Sequence, residues 1–190
     1  MVRQQTKLPD YLTQSEFKRL LSKITSKRDN ALIYVAYRHG LRVSEARLLD
    51  LDDIDFQRQR IRIRRLKGSL SGEQPLDAKT IRLIKKYLAT RRDDESILFR
   101  SRKGGPLSSV QVHRLFAGYA AQAKLPKEKH HFHVLKHSIA THLIEAEAGI
   151  EYVREWLGHR NIQNTLIYAQ MTGKHLDATA KRVTASGHVV

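Results

Sequence analysis

The chain contains no cysteine among its 190 residues and has one tryptophan. Without cysteine it can form neither a disulfide nor a thiolate zinc site, and a catalytic nucleophile would have to be an oxygen or an amine. Long apolar runs are also missing, since the longest extends from Ala31 to Tyr37, and residues 1–10 hold no signal-peptide core. These absences predict a cytoplasmic protein without a membrane partner.

Acidic residues are scarce relative to basic ones. The 35 Lys and Arg residues against 19 Asp and Glu give a formal net charge of +16. The basic residues alternate with apolar ones, as in residues 60–64 (Arg-Ile-Arg-Ile-Arg), so the charge belongs to a folded surface and not to a disordered tail. Such a surface predicts a polyanionic partner, first of all double-stranded DNA, and a location on the nucleoid.

The hydrophobic pattern predicts a mainly α fold with a small antiparallel β-sheet (α+β). Thr13 followed by Glu16 is typical of a capping box at the start of a helix, and Gly40 is typical of a helix end. Beyond that first helix, the predicted elements are helices 29–39 and 44–51, a sheet within 54–76, a helix from Asp77 to Leu88, a strand Ile97–Phe99, a helix 108–123, and three or four helices between His133 and about Arg182.

Two cations lie at predicted turns. Arg42 precedes a predicted helix N-terminus, where free amides and the helix dipole favour an anion. Lys67 lies at the tip of the arginine-rich hairpin. Taken alone, each is also typical of an ordinary solvated surface residue. Both are candidates for contact with a bound anion.

Three basic side chains share one face of a predicted helix. His133, Lys136 and His137 stand at positions i, i+3 and i+4 and could converge on one ligand, although surface histidines are common at such positions. His133 and His137, together with His130 and His131, could also suggest a zinc site, but no glutamate follows His133 as the metalloprotease pattern requires. We therefore expect no metal and no other cofactor.

His159 and Tyr168 are separated by nine residues. In one continuous helix this interval corresponds to a rotation of about 900°, which would place the two side chains on opposite faces. They can share a site only if the helix breaks between them. Gly158 is a suitable C-cap and Asn161 a suitable new N-cap, so the sequence allows the break. A tyrosine between Leu166 and Ile167 is otherwise typical of a core residue.

Together these patterns resemble the ordered active-site motifs of the tyrosine recombinase (phage integrase) family. The family has a His-x-x-Arg-His motif whose arginine precedes a Leu-Gly-His motif by 23 residues, and Lys136 precedes His159 by the same interval. The resemblance covers about residues 12–168 and implies the fold of a DNA breaking-rejoining catalytic domain. The chain departs from the pattern at Lys136, which stands where the family has arginine. A natural variant, an engineered substitution and a lineage without catalysis are the open interpretations.

The resemblance also implies roles for individual residues. Tyr168 would be the nucleophile that forms a 3′-phosphotyrosyl bond; because the ordinary pKa of a phenol is near 10, nearby positive charge is expected to make the phenolate accessible. Glu45 resembles the acidic residue that braces the site, although an ordinary i, i+3 ion pair with Arg42 explains it equally well. The phosphate-binding residues would be Arg42, Lys136 and His159, with Lys67 as general acid and His133 as its acid–base partner.

The same resemblance sets the expected organisation and activity. Residues 1–190 are expected to form a single catalytic domain with an N-terminal extension (1–11) and without an N-terminal core-binding domain. The tail 173–190 is expected to dock on a neighbouring protomer in a homotetramer on the DNA recombination site, whereas the free protein should be a monomer. The implied activity is integration or excision of a mobile element. A type IB topoisomerase and a non-catalytic DNA-binding regulator are the alternatives.

Overall fold

The structure is a computed structural model that describes residues 9–66, 68–172 and 184. These residues form helices around one small sheet, which confirms the predicted mainly α class with an antiparallel β-sheet. The helices are α1 (Gln14–Ser22), α2 (Lys27–Arg38), α3 (Val43–Arg47), α4 (Ala78–Leu88), α5 (Ser109–Gln122), α6 (Val134–Glu145), α7 (Ile150–Leu157) and α8 (Gln163–Thr172), and the strands are β1 (Ile54–Asp55), β2 (Arg60–Ile63) and β3 (Gly72–Pro75).

The helix boundaries follow their local signals. The Thr13 hydroxyl accepts a hydrogen bond from the Glu16 amide while the Glu16 carboxylate accepts one from the Thr13 amide, so the predicted capping box is confirmed. Asp77 caps α4 by accepting from the Thr80 amide. Gly40 follows α2 with φ +59°, as a helix-ending glycine should. The predicted helix 44–51 is shorter than expected, because α3 ends at Arg47 and a 3-10 turn follows at Leu51–Asp53.

The predicted strand Ile97–Phe99 does not form. Ile97 makes only an isolated bridge with Asp50, and the Leu98 amide donates to the Leu49 carbonyl (2.8 Å). Leu98 and Phe99 are nevertheless fully buried. Their apolar character reflects packing into the core and not membership of a sheet, which a short apolar run cannot distinguish.

The sheet has the order β1-β2-β3, and all its pairs are antiparallel. Ile61 and Ile63 of β2 are buried, whereas the alternating residues Arg60 and Arg62 are exposed to solvent, as the sequence predicts. The register pairs Ile61 with Gln74. The loop between β2 and β3 therefore projects from a strand anchored in the core.

Helices α2 and α6 form the centre of the molecule. Helix α2 packs against α4 and α6, and α6 also packs against α7 and α8. Helix α6 is buried on most of its circumference, so Lys136 and His142 point into the interior. Within the described ranges no helix combines the length and the apolar character needed to cross a bilayer. The two central helices thereby place the Gly40 turn beside Leu157 at the end of α7, and the start of α6 next to α8.

The turn at Gly158 approaches the loop between β2 and β3 closely. Its φ is +66°, and a Cβ atom there would lie 2.6 Å from the Leu70 carbonyl oxygen. We predict that Gly158→Ala lowers the free energy of unfolding by at least about 1–2 kcal/mol, the cost of the left-handed backbone alone. Urea unfolding measures this change.

Gly118→Ala is the matched control, because Gly118 lies inside α5 and a methyl group there would meet no atom within 4 Å. That substitution should raise the stability by about 0.5–1 kcal/mol. Equal effects of the two substitutions would show that the close approach at Gly158 does not constrain the fold.

Candidate active site

Arg42 lies at the N-terminus of α3, directly after the Gly40 turn. Its backbone amide donates to Glu45 Oε2 (2.8 Å), and its guanidinium donates to Glu45 Oε1 (3.1 Å) and to the Ser69 hydroxyl (2.8 Å). The side chain stays 31% exposed, whereas the Glu45 carboxylate is buried. One edge of the guanidinium is therefore anchored, and the rest can reach a ligand.

Lys136 is the most deeply placed of the predicted site residues. It is 1% exposed, and its ammonium donates to the Leu157 carbonyl (2.8 Å) at the C-terminal end of α7. Burial, together with the charges of Arg65 and Arg42, lowers the pKa of Lys136 to about 6 against the opposing effect of Glu45. In this structure Lys136 thus supports the turn that leads to His159.

His159 follows that turn and is buried. The left-handed Gly158 ends α7 as predicted, and the Asn161 side chain accepts from the Gln163 amide at the start of α8, so the helix breaks between His159 and Tyr168. His159 Nδ1 makes a hydrogen bond with the Thr165 hydroxyl (2.9 Å). Burial lowers the pKa of His159 to about 3, and Lys136 and Arg42 act in the same direction.

Tyr168 is 2% exposed, and its hydroxyl makes a hydrogen bond with His137 Nδ1 (2.9 Å). Burial raises the pKa of the phenol, and this effect outweighs the opposite effect of Arg42. Arg42 thus acts in the expected direction, but in the arrangement described burial keeps the pKa of Tyr168 above its ordinary value. Burial likewise lowers the pKa of His137 to about 3, so this partner of the phenol is neutral at neutral pH.

The predicted residues come together from four separate segments. Arg42 and Lys136 both influence the pKa of His159, and Arg42 also influences that of Tyr168. His133 precedes α6, and its ring meets the edge of the His137 ring at 4.5 Å between centroids. Lys67 lies outside the described residues. The described members Arg42, His133, Lys136, His159 and Tyr168 therefore form one basic cluster around a phenol.

Two further residues belong to the cluster, although the sequence assigned neither a catalytic nor a phosphate-binding role to them. His137 shares a helix face with His133, but its bond to Tyr168 joins two helices and has no local sequence signal. Arg65 follows an alternating run of solvated arginines, yet its guanidinium is buried and bonds to Glu45 (2.8 Å). In both cases only the tertiary structure reveals the contact.

The zinc-site interpretation of the histidines finds no support in their contacts. His130 Nε2 faces the Leu125 carbonyl (2.9 Å), and His137 Nδ1 faces the Tyr168 hydroxyl. Among the residues that the structure describes, no three His, Cys, Asp or Glu side chains are grouped so that they could hold a metal ion. Arginine, lysine and histidine donors therefore dominate the described cluster, which suits an oxyanion.

Comparison with known proteins shows which family this chain resembles in sequence. The phage integrase family matches residues 10–175. Tyrosine recombinase XerA of Thermococcus onnurineus is 38% identical over 174 residues, which cover 89% of this chain and 61% of that protein. The type 1 fimbriae regulatory protein FimE of Escherichia coli K12 is 34% identical over 167 residues, which cover 83% of this chain and 84% of that protein. The chain thus spans about 61% of the length of the XerA relative.

Solved structures agree with this assignment. The crystal structure of XerA recombinase matches with a TM-score of 0.76 and 25% identity over 100% of this chain and 67% of that one. XerH site-specific recombinase bound to its difH substrate matches with a TM-score of 0.74 and 25% identity over 92% of this chain and 54% of that one. By sequence and by fold, the chain belongs to the phage integrase family and has the architecture of a tyrosine recombinase catalytic domain.

Proposed function

We propose that the protein is a site-specific DNA recombinase that cleaves and rejoins duplex DNA through Tyr168. The observation that carries this proposal is the convergence of four basic side chains on one buried phenol, from segments far apart in the sequence. The described cations of the cluster can bind a phosphodiester, and the phenol supplies the oxygen nucleophile that a chain without cysteine needs.

The proposed reaction is a transesterification. The Tyr168 oxygen forms a bond to the scissile phosphorus, the bond from phosphorus to the 5′-oxygen breaks, and a 3′-phosphotyrosyl bond results. The phenol gives its proton to His133, which is the proposed acid–base group, and Lys67 gives a proton to the departing 5′-oxygen. Arg42 can donate to two non-bridging oxygens and His159 to one, which stabilises the negative charge of the transition state. The phosphotyrosyl bond conserves the energy for rejoining.

DNA binding must change the arrangement described here before attack. The Tyr168 phenol is buried against His137, and its raised pKa disfavours the phenolate. An arriving phosphate adds a negative charge beside Lys136 and His159, which favours their protonated forms. We infer that α8 then shifts, so that the phenol gives up its hydrogen bond with His137 and faces the phosphate.

Duplex DNA is the proposed partner. The crystal structure of XerH, which has a similar fold, shows that recombinase bound to its difH substrate. A net charge of +16 suits a polyanion. Integration or excision of a mobile element is the proposed cellular role, acting at the nucleoid. We further propose that the whole chain acts as one catalytic domain and that residues 173–190, which lie outside the described residues except Thr184, dock on a neighbour in a DNA-bound tetramer.

A DNA-binding regulator without catalysis is the second candidate. One observation favours it, since lysine replaces the family's arginine at position 136. Trapping of a covalent protein–DNA adduct separates this candidate from the recombinase. Exchange between two sites, as opposed to relaxation of supercoiled DNA alone, separates the recombinase from a topoisomerase.

The nucleophile prediction is tested by Tyr168→Phe. The variant should bind nicked suicide duplexes, cut from the DNA that flanks the gene, with unchanged affinity and should form no covalent adduct, because it lacks the attacking oxygen. Tyr152→Phe is the matched control, since Tyr152 is 47% exposed and stacks on Trp156 away from the cluster. A protease-sensitive adduct that persists in Tyr168→Phe would assign the nucleophile elsewhere, with Tyr152 next in line.

The lysine at position 136 predicts a pH dependence. Because burial lowers the pKa of Lys136 to about 6, its stabilising charge is present below that pH and is lost as the pH rises. Arginine stays protonated and offers a planar fork. Lys136→Arg should therefore speed adduct formation at subsaturating DNA, a condition whose pH profile reports the pKa values of the free protein, more at pH 8 than at pH 6, by up to about 10²–10³-fold, with little change in DNA affinity.

Lys86→Arg, an exposed lysine on α4, is the control and should leave the pH profile unchanged. If Lys136→Arg is slower than the native chain at every pH, the site is adapted to lysine, and the idea that lysine impairs the reaction is wrong.

Assembly should depend on DNA. Free protomers carry the same charge of +16 and repel each other, whereas bound DNA neutralises them. Analytical ultracentrifugation at moderate ionic strength should show a monomer alone and a larger complex with a cognate duplex. A stable tetramer without DNA would contradict this proposal.

A further inference from the structure

We propose that Arg65 is a positioning residue, which joins the segments that carry Arg42 and His159 to the β2–β3 loop. The inference rests on the proposed function and deepens it, because Arg65 would act on the rate of cleavage without touching DNA. Its side chain is only 1% exposed and makes four hydrogen bonds within the protein.

Four hydrogen bonds connect the Arg65 guanidinium to three other segments. It donates to the carbonyls of His39 (3.0 Å) and Gly40 (2.9 Å), which form the turn before Arg42. It also donates to the Trp156 carbonyl (2.8 Å) at the end of α7, three residues before His159. The fourth bond reaches Glu45 Oε2 (2.8 Å) on α3. One side chain therefore sets the relative positions of two proposed phosphate ligands.

Arg65 also shares the Glu45 carboxylate with Arg42. Oε2 accepts from Arg65 and from the Arg42 backbone amide, whereas Oε1 accepts from the Arg42 guanidinium. A buried carboxylate that lost its only cation would be strongly destabilised. Because Arg65 remains, the Arg42 guanidinium can turn toward a phosphate without leaving Glu45 unpaired.

The loop that follows β2 closes on the His159 turn through the same residue. The Arg65 amide donates to the Ser71 hydroxyl (2.9 Å), and the Leu70 amide donates to the Gly158 carbonyl (3.0 Å). A Cβ atom on Gly158 would lie 3.0 Å from Arg65 Nε, so the guanidinium packs directly on the turn. Lys67 lies two residues further along the chain, and the anchoring of Arg65 therefore limits where this loop can run.

Arginine is the residue type that this position requires. Four acceptors on three segments need donors spread over a planar group, whereas a lysine ammonium presents three donors from a single point. Lysine can keep the ion pair with Glu45, but it cannot reach the Gly40 and Trp156 carbonyls together in the same geometry. The positioning role therefore predicts partial rescue by lysine and none by an apolar residue.

The test compares Arg65→Lys and Arg65→Met with Arg64→Met, the matched control, whose side chain is 60% exposed and pairs with Asp53. We expect single-turnover adduct formation at saturating DNA to slow about 100-fold in Arg65→Met and about tenfold in Arg65→Lys, since small misplacements of catalytic groups cost about 10²-fold. DNA affinity and the control rate should stay within about threefold. If Arg65→Met does not fold, Arg65→Lys, which can keep the ion pair with Glu45, decides the inference by its rate of adduct formation relative to Arg64→Met.

A second measurement uses tungstate as a phosphate analogue and no DNA. In NMR titrations of the His159 imidazole, tungstate should bind about tenfold more weakly to Arg65→Met than to the native chain, because the fixed donors are no longer aligned. Native rates and native tungstate affinity in Arg65→Met would overturn the inference. If instead the native chain forms no adduct, the proposed function fails, and the tungstate measurement still decides the role of Arg65.

Discussion

The buried carboxylate of Glu45 is the interaction on which the rest of the site depends. It forms ion pairs with two arginines at once, one buried and one partly exposed. Burial alone would raise its pKa, but Arg65, the Arg42 amide and Lys136 hold that pKa below its ordinary value, so the carboxylate stays charged. Without it, three cations would share a small volume with no anion between them. The buried carboxylate therefore partly balances the positive charge that Arg42 and Arg65 bring together.

That balance explains the protonation state of the remaining groups. Lys136 and His159 are buried beside Arg42, and both have pKa values well below their ordinary ones. The phenol shows the complementary effect, since burial raises the pKa of Tyr168. A bound phosphodiester would place negative charge beside Lys136 and His159 and would raise their lowered pKa values. The arrangement described thus fits a site completed by its substrate, with the phenol kept unreactive until then.

Much of this structure could be predicted from the sequence, and the reasons are local. Helices often end in a left-handed residue that is usually glycine, as they do at Gly40 and Gly158. The break between His159 and Tyr168 followed from helix geometry. The strand predicted at residues 97–99 failed because burial in the core and pairing in a sheet leave the same apolar pattern. The burial of Arg65 could not be predicted, because the arginines before it in the alternating run are exposed to solvent. Only the tertiary fold distinguishes Arg65 from them.

The central claim is that the Tyr168 oxygen becomes covalently attached to a 3′-phosphate. The most direct measurement is mass spectrometry of the trapped adduct after digestion with nuclease and protease. The account predicts that the peptide containing Tyr168 carries a nucleotide joined through its 3′-phosphate, with no other peptide modified. A nucleotide on a different residue, or one joined through a 5′-phosphate, would contradict it.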